Sequence, residues 1–351
     1  MLIKRLELTN FRNYANRVFE FESGTTVIVG DNAVGKTNLL EAIFLLSVGE
    51  SFKARRIEEM VRFGEELGRV KGVLTDKDLE VVLTRGEVNG KKVAKRKFLV
   101  EDVSKRRRDF IGLLAVVAFR PEDLELLDGS PSIRRNFLDQ TLMKVYSEYE
   151  RNLTIYEQAL RRRNKLLDAI REGEATRYSL TFWDGLLIKH GQELQKKRGD
   201  IILFINDLWN RSELFNKLKI EYDKSTISES RLEQYKEEEV QVGYTLVGPH
   251  KDDFRIISEG NRELDIYGSR GEQRMAVLAL KMGEIYFVES IKKDKPILLL
   301  DDIFSELDEI HREEVMRVMQ GRQVIVTMTQ EEEIKKLPKL PKLVKWLKLK
   351  R

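Results

Sequence analysis

Gly30-Asp31-Asn32-Ala33-Val34-Gly35-Lys36-Thr37 follows the β-branched run Thr25 to Val29 and opens a helical pattern running from Lys36 to about Val48. The octapeptide fits Gly-x4-Gly-Lys-[Ser/Thr] in the strand-to-helix setting that a phosphate-binding loop requires. Glycines let the backbone wrap phosphates and turn its N–H groups inward. The helix N-terminus adds partial positive charge. In such a loop Lys36 reaches the β- and γ-phosphates, and the Thr37 hydroxyl ligates Mg2+. The expected ligand of Gly30, Asp31, Asn32, Ala33, Val34, Gly35, Lys36 and Thr37 is therefore a nucleoside triphosphate with Mg2+.

Two further segments belong to the same chemistry. Ile297-Leu298-Leu299-Leu300-Asp301-Asp302 is an apolar run ending in two acids, as expected of a central parallel strand. Such a strand delivers a carboxylate beside a phosphate loop. Asp301 would hold Mg2+, directly or through water; Asp302 would orient or deprotonate the attacking water. Taken alone, two acids after a strand read as a helix N-cap. Ser269-Arg270-Gly271-Glu272-Gln273-Arg274 opens a long helical pattern to about Ile291, and alone it is a capping segment. Its place about 30 residues before the acidic strand, with Ser305-Glu306-Leu307-Asp308 just after that strand, gives it more weight.

This order of segments resembles the ABC-type ATPase head, and within that superfamily the chain is similar to the RecF family. The likeness runs nearly end to end, over LTNFRNY (Leu8 to Tyr14), Gly30 to Ile43, SFK (Ser51 to Lys53), Phe119 to Asp139, VGPHKDDF (Val247 to Phe254), SRGEQR and LLLDDIFSELD. It implies an α/β fold: a P-loop head with a mixed sheet and flanking helices, plus a mainly helical second lobe. It adds Arg12 and Asn38 to the nucleotide site. It gives Ser269, Gly271 and Gln273 the γ-phosphate held by a second subunit, so that two heads sandwich two ATP molecules. Lys36, Asp302 and Ser269 become the catalytic set of a weak, DNA-stimulated ATPase. The implied function is an ATP-dependent DNA-binding clamp in recombinational repair. It would form an ATP-dependent homodimer on double-stranded DNA near single-stranded gaps (gapped DNA). RecR would be its partner, with RecO and RecA in the pathway, and the outcome would be the loading of RecA recombinase.

Three departures stand out. Glu272 replaces a glutamine usual in the family's SxGQQR. No glutamine lies at Phe119-Arg120-Pro121, and Val326-Thr327-Met328-Thr329 lacks the histidine many ABC ATPases carry there. These fit a slow ATP-controlled clamp better than a fast enzyme. The wide separation of Thr37 from Ser269 also argues against a transporter ATPase subunit. The chain is too short for a long-coiled-coil relative. A nucleotide-gated binding module without turnover remains the alternative.

Composition bounds the rest. The chain has 351 residues, enough for about two domains. Charged residues reach 35%, above the usual ~25%, yet net charge is only +4. There is no cysteine, which excludes disulfides, thiol catalysis and Cys-based metal sites; His190, His250 and His311 are too scattered for a histidine metal site. No apolar run approaches a membrane span, and charges interrupt the N-terminal MLIKRLELTNF, so a cytoplasmic location and no membrane partner are expected.

Residues 1–119 and 242–351 are expected to form the head and 120–241 an inserted helical lobe. Residues 69–100 read as a β-meander with an Asn89-Gly90 hairpin turn. Strands are expected near Leu218–Tyr222, around Val247 and at Asp253–Ile257. His250, beside Pro249, reads as a turn histidine with a structural or nucleotide-linked role. A DNA surface would have to be local: Lys91, Lys92, Lys95, Arg96 and Lys97; Lys105 to Arg108; or Arg161 to Arg163. The basic tail with Trp346 reads as a frayed end.

Overall fold

A computed structural model of the chain describes residues 1–305, 307–329 and 344–349. Glu306 of the Ser305–Asp308 segment, and Pro338 and Pro341 of the tail, lie outside the described residues. The chain divides into two compact units, Met1–Asp123 with Glu284–Arg351, and Leu124–Gly283. The sequence-based boundaries are 119/120 and 241/242; the units part at 123/124 and at 283/284.

In chain order the first unit holds β1 (Ile3–Phe11), β2 (Tyr14–Glu20), β3 (Thr25–Val29), α1 (Lys36–Val48), β4 (Leu67–Leu74) and β5 (Asp78–Thr84). It continues with β6 (Glu87–Val88), β7 (Lys91–Lys92), β8 (Arg96–Val100), β9 (Val103–Lys105), the single turn α2 (Arg107–Phe110) and β10 (Val116–Phe119). The second unit holds α3 (Glu125–Asp128), α4 (Pro131–Val145), α5 (Ser147–Arg171), α6 (Thr181–Asn210), β11 (Lys219–Asp223), α7 (Glu229–Gln234) and α8 (Lys236–Val242). Then follow β12 (Asp253–Ser258), β13 (Arg262–Glu263), α9 (Leu264–Tyr267) and α10 (Arg270–Lys292), inside which the units part. The first unit resumes with β14 (Ile297–Asp301), α11 (Glu309–Met319), β15 (Val324–Met328) and β16 (Val344–Lys348).

Two large sheets build the first unit, beside the small β6-β7 ribbon. One is antiparallel, in the order β2-β1-β4-β5-β8-β9; the other is parallel, in the order β10-β14-β15-β3-β16. Every residue of β3, β10, β14 and β15 is buried, which is why these strands are mostly apolar, with Thr25, Thr26, Thr327 and Asp301 as the buried polar exceptions. The antiparallel strands bury one face, with Ile3, Leu6, Leu8, Val70, Val81 and Leu83 in the core. Helix α1 touches both sheets and is buried on almost its whole circumference, so it lacks a polar face. The Asn89-Gly90 turn is borne out: both residues have positive φ, and Val88 pairs with Lys91 across it.

The second unit is mainly helical. Helices α5 and α6 pack along each other through stripes that include Tyr156, Ala159, Arg163 and Leu167 on one and Leu194, Arg198, Ile201 and Ile205 on the other. Strands β11, β12 and β13 form a small antiparallel sheet. Two expectations are corrected. No strand forms around Val247, because Gly248 at φ +127° and Pro249 turn the chain into a short 3-10 segment. The tail is not simply frayed: Val344–Lys348 is strand β16, paired in parallel with β3.

Candidate nucleotide site

The phosphate loop is braced from the β1–β2 turn. Gly35 caps α1 at φ +114°, and a Cβ there would lie 2.6 Å from the Asn13 amide and 2.8 Å from the Tyr14 hydroxyl. Only glycine combines that backbone with that approach. Tyr14 donates to the Gly35 carbonyl at 3.0 Å and Asn13 donates to the Val34 carbonyl at 2.9 Å. Burial pushes the Tyr14 phenol up to about 12, so it stays a donor. Asn38 in turn donates to Asn13 at 2.9 Å. Nothing in the sequence singles out Asn13 or Tyr14 beyond their place in LTNFRNY; their role emerges only when the turn is seen against the loop.

Lys36, largely buried, donates to the carbonyls of Gly30 and Asp31. Asn32, Ala33, Gly35, Lys36, Thr37 and Asn38 line a cavity of about 460 Å³, closed on another side by Asp301 and Asp302. Asp301 ends β14 and is buried, with the Thr327 hydroxyl of β15 donating to it at 2.6 Å. Asp302 follows at φ +53°, its N–H directed to the Thr327 carbonyl and hydroxyl at 3.3 and 3.2 Å. The left-handed turn bends the chain at the strand's end. Lys53, Pro121 and Glu122 complete the wall. In the sequence Lys53 and Glu122 stand only within longer family-like segments, and no spacing marks them.

Arg12 stands elsewhere on the same unit. Its guanidinium grips the fully buried Glu41 of α1 and also donates to the Glu59 carbonyl at 2.8 Å. It lines a second cavity of about 760 Å³ that shares Asn38 and Lys53 with the first. At the position without a glutamine, Arg120 pairs with Asp123 at 2.7 Å and lies over the Phe52 ring.

Ser269, Gly271 and Gln273 belong to the second unit. Ser269 and Glu272 form a capping box: the Glu272 N–H donates to the Ser269 hydroxyl at 3.3 Å, and the Ser269 N–H donates to the Glu272 carboxylate at 2.8 Å. Those bonds, with an ion pair to Arg262, hold the Glu272 carboxyl below the usual range. Gln273 donates to the Leu264 carbonyl at 3.0 Å. A Cβ on Gly271 would meet nothing within 4 Å, so this chain's own packing does not require the glycine.

The two segments most telling of the family meet inside the second unit. Arg198, on the α6 stripe, binds Asp139 at 2.9 Å, Asp252 at 3.1 Å and the Pro249 carbonyl at 2.7 Å. Asp252 also accepts from Tyr222, Gln195 and the Ser225 N–H. Arg134 holds Asp253 through two bonds, at 2.6 and 2.8 Å. His250 sits between the Tyr156 hydroxyl at 2.7 Å and the Thr245 carbonyl at 3.0 Å. Burial pushes its imidazole down to about 4, so it is neutral near pH 7.

The basic clusters separate by what the fold does with them. Lys95 pairs with Glu58, Arg96 donates to the Gly49 carbonyl, Arg107 pairs with Glu50 and Arg108 with Asp109. Arg163 is buried against Asp184 and Glu239. Lys91, Lys92, Lys97, Lys105 and Arg106 are exposed and form no ion pair among the described residues. Among those residues no helix is long and apolar enough to cross a membrane.

Residues 2–347 match the family described as RecF/RecN/SMC N terminal domain. The chain is 36% identical to the DNA replication and repair protein RecF of Lachnoclostridium phytofermentans, over 95% of this chain and 94% of that one. It is 35% identical to the protein of the same name from Bacillus cytotoxicus, over 94% and 92%. Among solved structures it resembles the recombination mediator protein RecF-ATP in the RecFOR pathway, with a TM-score of 0.84 and 31% identity over 94% of this chain and 92% of that one.

Proposed function

The chain belongs to the RecF family, an ABC-type P-loop ATPase head with a mainly helical second lobe, and from that premise we propose that it is an ATP-controlled DNA-repair clamp. The observation that carries the reading is the single cavity shared by Lys36, Thr37, Asp301 and Asp302. The residues present suit MgATP. The first N–H groups of α1 and the Lys36 ammonium supply positive charge to phosphates. Among the described residues no cluster of three acidic or imidazole side chains could hold a metal. Thr37 and Asp301, which line that cavity together, would hold the cation beside the phosphates, as suits Mg2+. Bound Mg2+ supplies charge neutralisation to phosphoryl transfer.

Asp302 positions or deprotonates the attacking water, and turnover is slow. The open Gly271 face beside the capped Ser269 suits the approach of a second subunit's γ-phosphate. ATP would then close a homodimer on duplex DNA near single-stranded gaps and hydrolysis would open it. RecR, with RecO and RecA in the pathway, completes the proposed setting.

Size-exclusion chromatography with light scattering, run with ATP, ADP and no nucleotide, tests this. Wild type should dimerise only with ATP. Lys36→Met and Ser269→Arg should each stay monomeric, and their mixture should regain partial ATP-dependent association through one competent composite site. Asp302→Asn should accumulate as an ATP-bound dimer without turnover. A Ser269→Arg protein that dimerises normally with ATP refutes the composite site.

A further inference from the structure

The C-terminal strand reaches the phosphate loop itself. β16 lies along β3 in parallel register, from Val344 opposite Thr25 to Lys348 opposite Val29. The ladder continues one residue further, where the Leu349 N–H donates to the Val29 carbonyl at 2.9 Å. Leu347 packs on the core and Leu349 is buried within it, while Trp346 beside Leu347 is 44% exposed, the alternation expected of an edge strand. Leu349 then meets Gly30, the first residue of the loop. A Cβ built on Gly30 would lie 2.8 Å from the Leu349 carbonyl oxygen, 3.3 Å from the Leu349 Cβ and 2.9 Å from Val34. The space a side chain would need at Gly30 is already filled by the C-terminal strand. The Gly30 carbonyl, in turn, accepts from the Lys36 ammonium.

We propose that Leu349 and strand β16 are positioning elements of the nucleotide site: seated on Gly30, they hold the first turn of the phosphate loop in the shape that receives phosphate. This rests on the reading of the loop as an ATP site. The contact is continuous from Leu349 through Gly30 to Lys36. A small shift of the loop's first turn would move the carbonyl that Lys36 engages and the N–H groups that follow it. A strand at the sheet's edge has one neighbour, so its hold on the loop depends on one ladder and two apolar side chains. Binding at the loop and docking of the strand are then linked, and the linkage is reciprocal.

The test uses the full chain with ATP as probe. Leu349→Gly removes the side chain that anchors the strand beside Gly30, Leu349→Pro removes the N–H that bonds Val29, and Leu349→Met keeps both. ATP affinity should fall fivefold or more in the first two and stay within twofold of wild type in the third, with KM for ATP rising more than kcat falls. By reciprocity, ATP should slow hydrogen exchange at Val344–Lys348 in the wild-type protein, while exchange at β11 and β12 stays as it was. Affinities within twofold of wild type for both the Gly and Pro variants overturn the proposal, as does exchange in β16 indifferent to ATP. A wild-type chain that does not bind ATP, or a Lys36→Met chain that binds it as well as wild type, overturns the site reading instead and takes this inference with it.

Discussion

The phosphate loop of the first unit carries a motif shared by all ABC-type heads, and the Arg198 cluster of the second draws Asp139 and Asp252 from the segments most specific to the family; the two treat charge in opposite ways. In the loop, Lys36 rests on two backbone carbonyls and its site opens on a cavity of about 460 Å³. In the cluster, Arg198 and Asp252 are almost wholly buried, and each is bonded to several partners of its own chain. All three nitrogens of this guanidinium are engaged by the protein's own acceptors. The contrast separates two kinds of charged motif: a loop open to a cavity, which we propose receives phosphate, and an ionic core that joins α4, α6 and the chain around Asp252. Buried ion pairs are poor sources of net stability, but removing one partner strands the other.

That asymmetry sets the largest expected effect. Arg198→Met leaves Asp139 and Asp252 buried without their cation and should cost about 3–5 kcal/mol. Lys36→Met loses charge-assisted hydrogen bonds worth about 1.5–3 kcal/mol of folding but should abolish ATP binding. Urea unfolding beside nucleotide titration reads both, and an Arg198→Met chain as stable as wild type breaks the distinction. His250 gives the next effect. Its folded value of about 4 lies below the ordinary 6.5, so between these pH values the unfolded chain binds the extra proton. Stability is therefore full above pH 6.5, falls as pH drops towards 4, and flattens below. The loss at this one group is at most about 3 kcal/mol. His250→Gln should remove that part of the slope; an unchanged slope across the same window would assign the acid sensitivity to other groups.

The loop's strand-to-helix setting was legible because eight contiguous residues mark it by spacing, and β14 was legible because a buried strand is apolar until Asp301 ends it. The cluster was not legible: Asp139 and Asp252 stand in family-like segments, but Arg198 stands in none. Asp139, Arg198 and Asp252 share no spacing rule, and the one local hint is an arginine at an apolar stripe position of α6, among Leu194, Ile201 and Ile205. β16 escaped for a related reason. VKWLK is rich in lysine, and the partner that makes it a strand, β3, lies at the other end of the chain. Likeness assigns Arg12 to the nucleotide; the structure shows its guanidinium on Glu41, a contact that nothing in LTNFRNY announces. Nor does sequence distinguish Arg106 from Arg107, although only Arg107 has Glu50 to hold it.

That last pair carries the comparison to the surface and to the smallest expected effect. If charges satisfied within the fold serve structure and unsatisfied ones serve a ligand, the basic run Lys105 to Arg108 should split in the middle. Lys105 ends the edge strand β9, opposite Phe98, with Arg106 beyond it; both are exposed. Arg107 and Arg108 face acids of their own chain. The acidic turn Glu101-Asp102 lies at the other end of the same hairpin, so the hairpin is polarised, with its positive end near Lys97 and Arg106. Removing one cation that neutralises a DNA phosphate should reduce the log–log salt slope of duplex binding by about 0.9. The double change Lys105→Ala, Arg106→Ala should therefore flatten the slope by up to about twice that amount. Arg107→Ala with Arg108→Ala should leave it near the wild-type value. Adding Lys91→Ala and Lys92→Ala to the first double should flatten it further if the β6–β7 ribbon continues the same strip. Equal slopes for the two doubles would mean that pairing within the fold does not decide which cations meet DNA, and would confine the distinction to the buried interior.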